Sequence, residues 1–122
     1  MGRRFAFTAL AALAMAAPAS ANMTVAAFLG KANALRDNPL TALASPDFPA
    51  LKAEAQTAAA QLRADRDQRR AQGKPPIACI PEGQTPGILD MIDGLNALSP
   101  AEKRLSLKDG YAHVLQKRFP CR

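Results

Sequence analysis

The chain has 122 residues, with 16 Lys and Arg against 10 Asp and Glu, a net charge of +6 and a sequence pI near 9.9. That length holds one small domain with a modest core. One His and two Cys are too few ligands for a structural zinc site, and no run alternates β-branched with polar residues, which argues against a sheet.

The chain begins with the basic Met1-Gly2-Arg3-Arg4, continues with an apolar run from Phe5 to Ala17, and reaches the small-residue stretch Pro18-Ala19-Ser20-Ala21. These are the three parts of a secretory signal peptide, expected over 1–21 with cleavage after Ala21. The apolar run is shorter than a bilayer span, so no stable membrane span is expected after processing. Export predicts a periplasmic or secreted protein running from Asn22 to Arg122, one helical domain in two parts, 22–76 and 77–122. Export also argues against a nucleic-acid partner, which the pI alone would suggest. A basic exported protein meets an acidic protein surface, anionic lipid or a cell-wall polymer instead.

Thr24 is expected to cap a first helix over 24–36, with Val25, Phe28, Leu29, Ala32 and Leu35 on its apolar stripe. Asp37-Asn38-Pro39 stops it, and a short helical turn follows over 40–44. Asp47 is expected to cap the longest helix, 47–72, whose stripe is Phe48, Leu51, Ala55, Ala58 and Leu62. Gly73 and Pro75-Pro76 end it. Its second half has almost no apolar residues and reads as a solvated helix end or a projecting arm.

Thr85 is expected to cap the next helix, 85–98, with Pro86 at its first position and Ile88, Met91, Ile92, Leu95 and Leu98 on one face. Ser99-Pro100-Ala101-Glu102 has the form of a capping box. Ser106 caps the last helix, 107–119, with Leu107, Tyr111, Val114 and Leu115 facing inward. The only two cysteines, Cys79 and Cys121, bracket this antiparallel pair, and in an exported protein they read as a bridge. The expected core is Val25, Phe28, Leu29, Leu35, Phe48, Leu51, Leu62, Ile88, Ile92, Leu95, Leu107, Tyr111, Val114, Leu115 and Phe119.

Few residues carry chemistry. His113 is the only histidine and reads as an exposed side chain without a role. Asp90 and Asp93 lie three apart on a helix and read as a polar face. Glu82 and Asp109 lie near helix starts, where the helix dipole favours acids. No metal or cofactor is expected. The strongest surface feature is the basic cluster Arg63, Arg66, Arg69, Arg70 and Lys74, offset in part by Asp65 and Asp67. It reads either as a solvated face or as a contact surface for an acidic partner. No aromatics interleave with it, so base stacking is not indicated.

The segment Ile77 to Arg122 resembles the Rap/Tai-type immunity proteins, small periplasmic helical proteins that neutralise cell-wall amidases delivered by type VI secretion. The resemblance rests on Cys79-Ile80-Pro81, Thr85, Gly87, Leu89, Ile92, Leu95, Pro100 and the closing Phe119-Pro120-Cys121. It does not extend over 22–76, which lacks the further cysteines and the Gly-Tyr motif of typical members. It implies a helical pair bridged at Cys79–Cys121 and, as partner, a periplasmic cell-wall hydrolase.

The expectation is therefore an all-α exported bundle of about four helices, its carboxy-terminal pair closed by one disulfide. It is a binding protein rather than an enzyme. An envelope stress chaperone resembling HdeA in size and helicity, or another non-enzymatic envelope factor, is the alternative.

Overall fold

Thr24 caps the first helix as its sequence position predicts, its Oγ1 accepting from the Ala27 N–H at 3.1 Å. The computed structural model describes residues 23–122, so the expected signal peptide lies outside the described residues. Helix α1, Val25–Asp37, buries Val25, Phe28, Leu29 and Ala32. Helix α2, Pro39–Ala42, is a single turn with no buried residue.

Helix α3, Asp47–Ala71, buries Leu51, Ala55 and Ala58. Asp47 is its first helical residue rather than its cap, because Pro46 takes the cap position and Ser45 Oγ accepts the Asp47 N–H at 3.2 Å. The far end closes with Gly73 at φ +69°, a conformation open to glycine at little cost. The Lys74 N–H bonds the Arg69 carbonyl at 2.8 Å and the Gly73 N–H the Arg70 carbonyl at 3.1 Å, which closes the last turn of the helix. Residues 74–79 then form a strap beside α5, Leu107–Arg118, and the Cys79 N–H reaches the Phe119 carbonyl just past the end of that helix at 2.8 Å.

Helix α4 spans Ile88–Asn96, shorter than the expected 85–98. Thr85 does not cap it. Thr85 precedes a proline, which disfavours helical backbone there, and Gly87 is extended and supplies the first carbonyl, to the Met91 N–H at 3.0 Å. The helix stops early because Leu98 bonds back to Leu95 and the capping box follows at once. In that box the Ser99 N–H donates to Glu102 at 3.1 Å and the Glu102 N–H to Ser99 Oγ at 3.2 Å. A 3-10 turn, Glu102–Arg104, leads to Ser106, whose Oγ accepts the Asp109 N–H and caps α5.

The fold is all-α, with no strand among the described residues and one isolated bridge between Thr24 and Ser106. That bridge sets the starts of α1 and α5 side by side: the Val25 N–H bonds the Leu105 carbonyl at 2.9 Å and the Leu107 N–H bonds the Met23 carbonyl at 2.8 Å. Helix α4 runs antiparallel to α1, joined by reciprocal Asn33–Asn96 hydrogen bonds and an Arg36–Asp93 ion pair. It is also antiparallel to α5, where Arg118 faces Asp90 at 3.6 Å. Helix α3 packs on α1 and α5. The disulfide joins Cys79 to Cys121 with Cα atoms 5.0 Å apart and closes the α4–α5 unit as expected.

Most of the expected core is buried, and Leu35, Leu62 and Phe119 pack partly buried against it. Phe48 and Ile88 are corrections. They are 38% and 54% exposed, because each sits in the first turn of its helix, at the end of the bundle where fewer neighbours reach. Ala32, Ala55, Ala58, Met91 and Leu98 complete the core instead. Two glycines permit close helix contact: a Cβ on Gly94 would meet Val114, and one on Gly110 would meet Val25.

Three expected outcomes test this packing. Cys79→Ser is expected to lower stability by about 4 kcal/mol in denaturant titrations of oxidised protein, with the difference from wild type largely vanishing under reductant. Gly110→Ala is expected to cost about 1–3 kcal/mol through overpacking against Val25. Gly30→Ala, at a position with nothing within 4 Å, is expected to stabilise by up to about 1 kcal/mol. The same titrations compare the two glycine variants.

Candidate functional site

Two groups of polar side chains stand out. The first is built on the capping box. Glu102 closes the turn before α5, and its carboxylate accepts from Lys117 Nζ at 2.8 Å and lies 2.7 Å from His113 Nδ1. Lys117, then His113, then the Ser99 N–H hold the Glu102 carboxyl down from 4.5 to about 2. His113 is therefore half-buried in a pair, not the free surface histidine its helix position suggested. Its spacing on α5 was readable from the sequence; the turn that folds Glu102 back onto it was not.

His113 also borders an open groove of about 320 Å³ between α3, α5 and the strap, floored by Leu62, Ile77, Leu105 and Ala112. The residues singled out in the sequence for their chemistry do not converge there. Asp90 faces Arg118, Asp93 faces Arg36 and His113 faces Glu102, each in its own pair. Among the described residues no three His, Cys, Asp or Glu side chains gather as metal ligands. Among them, too, no helix is long and apolar enough to cross a membrane.

The second group is the basic cluster. Asp65 meets Lys108, the second residue of α5, at 2.7 Å, so α3 is level there with the start of α5. Its last turns lead back toward the far end of α5, where the Pro76 carbonyl lies 3.7 Å from Cys121 Sγ. Arg63, Arg66 and Arg70 share a face and are exposed. Arg66 leans on Asp67 at 3.4 Å, and Arg69 turns back to the Pro75 carbonyl at 2.7 Å, next to exposed Lys74. Among the described residues Arg63 and Arg70 make no ion pair.

Sequence reasoning missed that Lys108 pairs with Asp65 beside this cluster, and that Lys103 and Arg104 lie against α1. The 3-10 turn packs on α1, and the chain from Leu105 to Leu107 is bonded to Met23 and Val25. Residues 63–74 and 102–109 together hold eight basic and four acidic side chains; the rest of the described chain holds six of each. The net charge of the described domain therefore resides in these two stretches. Where α1 ends and α4 begins, Leu40, Leu43, Ile88 and Leu89 are exposed.

No protein family, curated protein or solved structure matches this chain.

The depressed Glu102 carboxyl contributes stability that is fully present above its unfolded value of 4.5 and is lost as pH falls through about 2. Wild-type stability is expected to drop more steeply than that of Glu102→Gln between these two pH values, as read from thermal melts across the range.

Proposed function

We propose that the protein is an exported binding protein of the cell envelope that neutralises a cell-wall hydrolase, holding it through the disulfide-closed unit. The observation that carries this reading is the coincidence of two boundaries. The bridge Cys79–Cys121 encloses α4 and α5, and the same stretch bears the resemblance to amidase immunity proteins. A disulfide of this kind belongs to an oxidising compartment, as the expected signal peptide requires. A closed helical pair is a firm platform for binding, since little order remains to be gained when a partner arrives. The separate pairing of Asp90, Asp93 and His113 favours binding over catalysis.

An envelope chaperone is the second reading. It is favoured by the exposed apolar side chains Leu40, Leu43, Ile88 and Leu89 where α1 ends and α4 begins, which would suit unfolded clients.

Affinity capture from a periplasmic extract with the oxidised protein separates the two. Recovery of one cell-wall hydrolase, whose activity falls on titration with the protein, is the expected result. Recovery of many unrelated proteins, together with protection of a model client from aggregation, supports the chaperone reading. Full hydrolase activity in excess protein rejects the immunity reading.

A further inference from the structure

We propose that the groove between α3, α5 and the strap is a docking site for a partner segment that presents an apolar side chain beside a cationic nitrogen, as a lysine-bearing apolar peptide does. This goes beyond the neutralising function above and does not rest on it. Three observations lead there.

The first is the floor and its support. The groove holds about 320 Å³, near the lower end of the range for ligand sites. Leu62 of α3, Ile77 of the strap, Leu105 and Ala112 give it apolar surface. The strap wall is fixed on both sides of Ile77. Arg69 Nε donates to the Pro75 carbonyl at 2.7 Å before it, and the Cys79–Cys121 bridge follows it. The wall therefore stands before a partner arrives, and little ordering is left to be done on binding.

The second is the hydrogen-bonding character of the rim. Asp109 and His113 both line the groove and lie four apart on α5, which makes them neighbours on one helix face. The Glu102 carboxyl is held down to about 2, so at neutral pH it is ionised and can only accept. The hydrogen between it and His113 Nδ1 therefore belongs to the imidazole. In neutral His113 that leaves Nε2 as a bare acceptor. Glu102 does not line the groove, so the edge that His113 turns toward it is the one that carries Nε2. Beside it, the Asp109 carboxylate makes no ion pair or side-chain hydrogen bond among the described residues.

The third is charge. Lys108, on the same rim, is taken by Asp65 at 2.7 Å. With that pair balanced, the one uncompensated charge among the lining side chains is the Asp109 carboxylate. The described chain carries 14 basic and 10 acidic side chains, so the groove runs against the charge of its own protein. Two adjacent acceptors, one of them anionic, over an apolar floor complement a cationic nitrogen on an apolar stem.

The test is titration of the oxidised, isotope-labelled protein with three capped tripeptides: leucine–lysine–leucine, leucine–glutamine–leucine and leucine–glutamate–leucine. Backbone amide shifts report the binding. The lysine peptide is expected to shift the amides of Ala112, His113 and Gln116 saturably and to bind on the order of fivefold tighter than the glutamine peptide. The basic excess of the protein would draw the glutamate peptide instead, so a preference for lysine reports the groove and not net charge. Asp109→Asn is expected to remove that preference, whereas Asp37→Asn, an exposed and equally unpaired acid at the end of α1, keeps it. Ala112→Leu, which fills the floor, is expected to weaken all three peptides, and thermal melts confirm that each variant folds. Tighter binding of the glutamate peptide, shifts that do not saturate, shifts centred away from the groove, or an unchanged preference in Asp109→Asn would each overturn the proposal.

Discussion

The bundle depends on the seating of Val25 against the bare backbone of Gly110. Any side chain at that glycine would collide with the valine, and without the contact the starts of α1 and α5 could not lie close enough to exchange backbone hydrogen bonds. The bonds from Val25 to Leu105 and from Leu107 to Met23 add direction to the contact. They join segments far apart in the chain, so their formation fixes the topology. At the other end of α5 the disulfide and the Cys79–Phe119 hydrogen bond hold the strap. Helix α5 is therefore pinned at both ends, and α3 and α4 pack along it between the pins.

That arrangement determines where the polar groups fall. Helix α3 has 25 residues, and its apolar half packs while its arginine-rich half is largely exposed. The turn after α4 sets Lys103 and Arg104 against α1, while Asp90 and Asp93 are balanced by Arg118 and Arg36. The basic excess thus falls on the second half of α3 and on the segment from 102 to 109.

Much of the fold was legible in the chain. The caps Thr24 and Ser106, the stop at Gly73 and the apolar spacing in α1, α4 and α5 are local signals, and each sets a local hydrogen bond or a buried face. The failures were local as well. Thr85-Pro86 has the composition of a helix start, yet the extended Gly87 moved that start two residues onward. Phe48 and Ile88 satisfy the apolar spacing but stand in first turns at the end of the bundle, and spacing carries no information about where neighbouring helices end. The candidate site was legible only in part. The arginines on α3 announce themselves by their spacing, whereas Lys103, Arg104 and the Glu102–His113 pair become neighbours of other groups only through tertiary folding. The function rested on a resemblance over less than half of the chain, and the helices between its two cysteine motifs have a spacing that many proteins share.

The Cys79–Cys121 bridge also decides what proteolysis can do. The loop from Ile80 to Gly87 is exposed for most of its length and lies inside the covalent ring. A protease that cuts there leaves a single connected molecule, with α4 still held by its packing and the ends still joined through sulfur. A cut between Gln72 and Ala78 lies outside the ring and leaves α1 to α3 joined to the closed unit by packing alone. The bridge therefore divides the surface into a stretch where a nick leaves one covalent molecule and one where it makes two, a distinction that matters in any compartment rich in proteases.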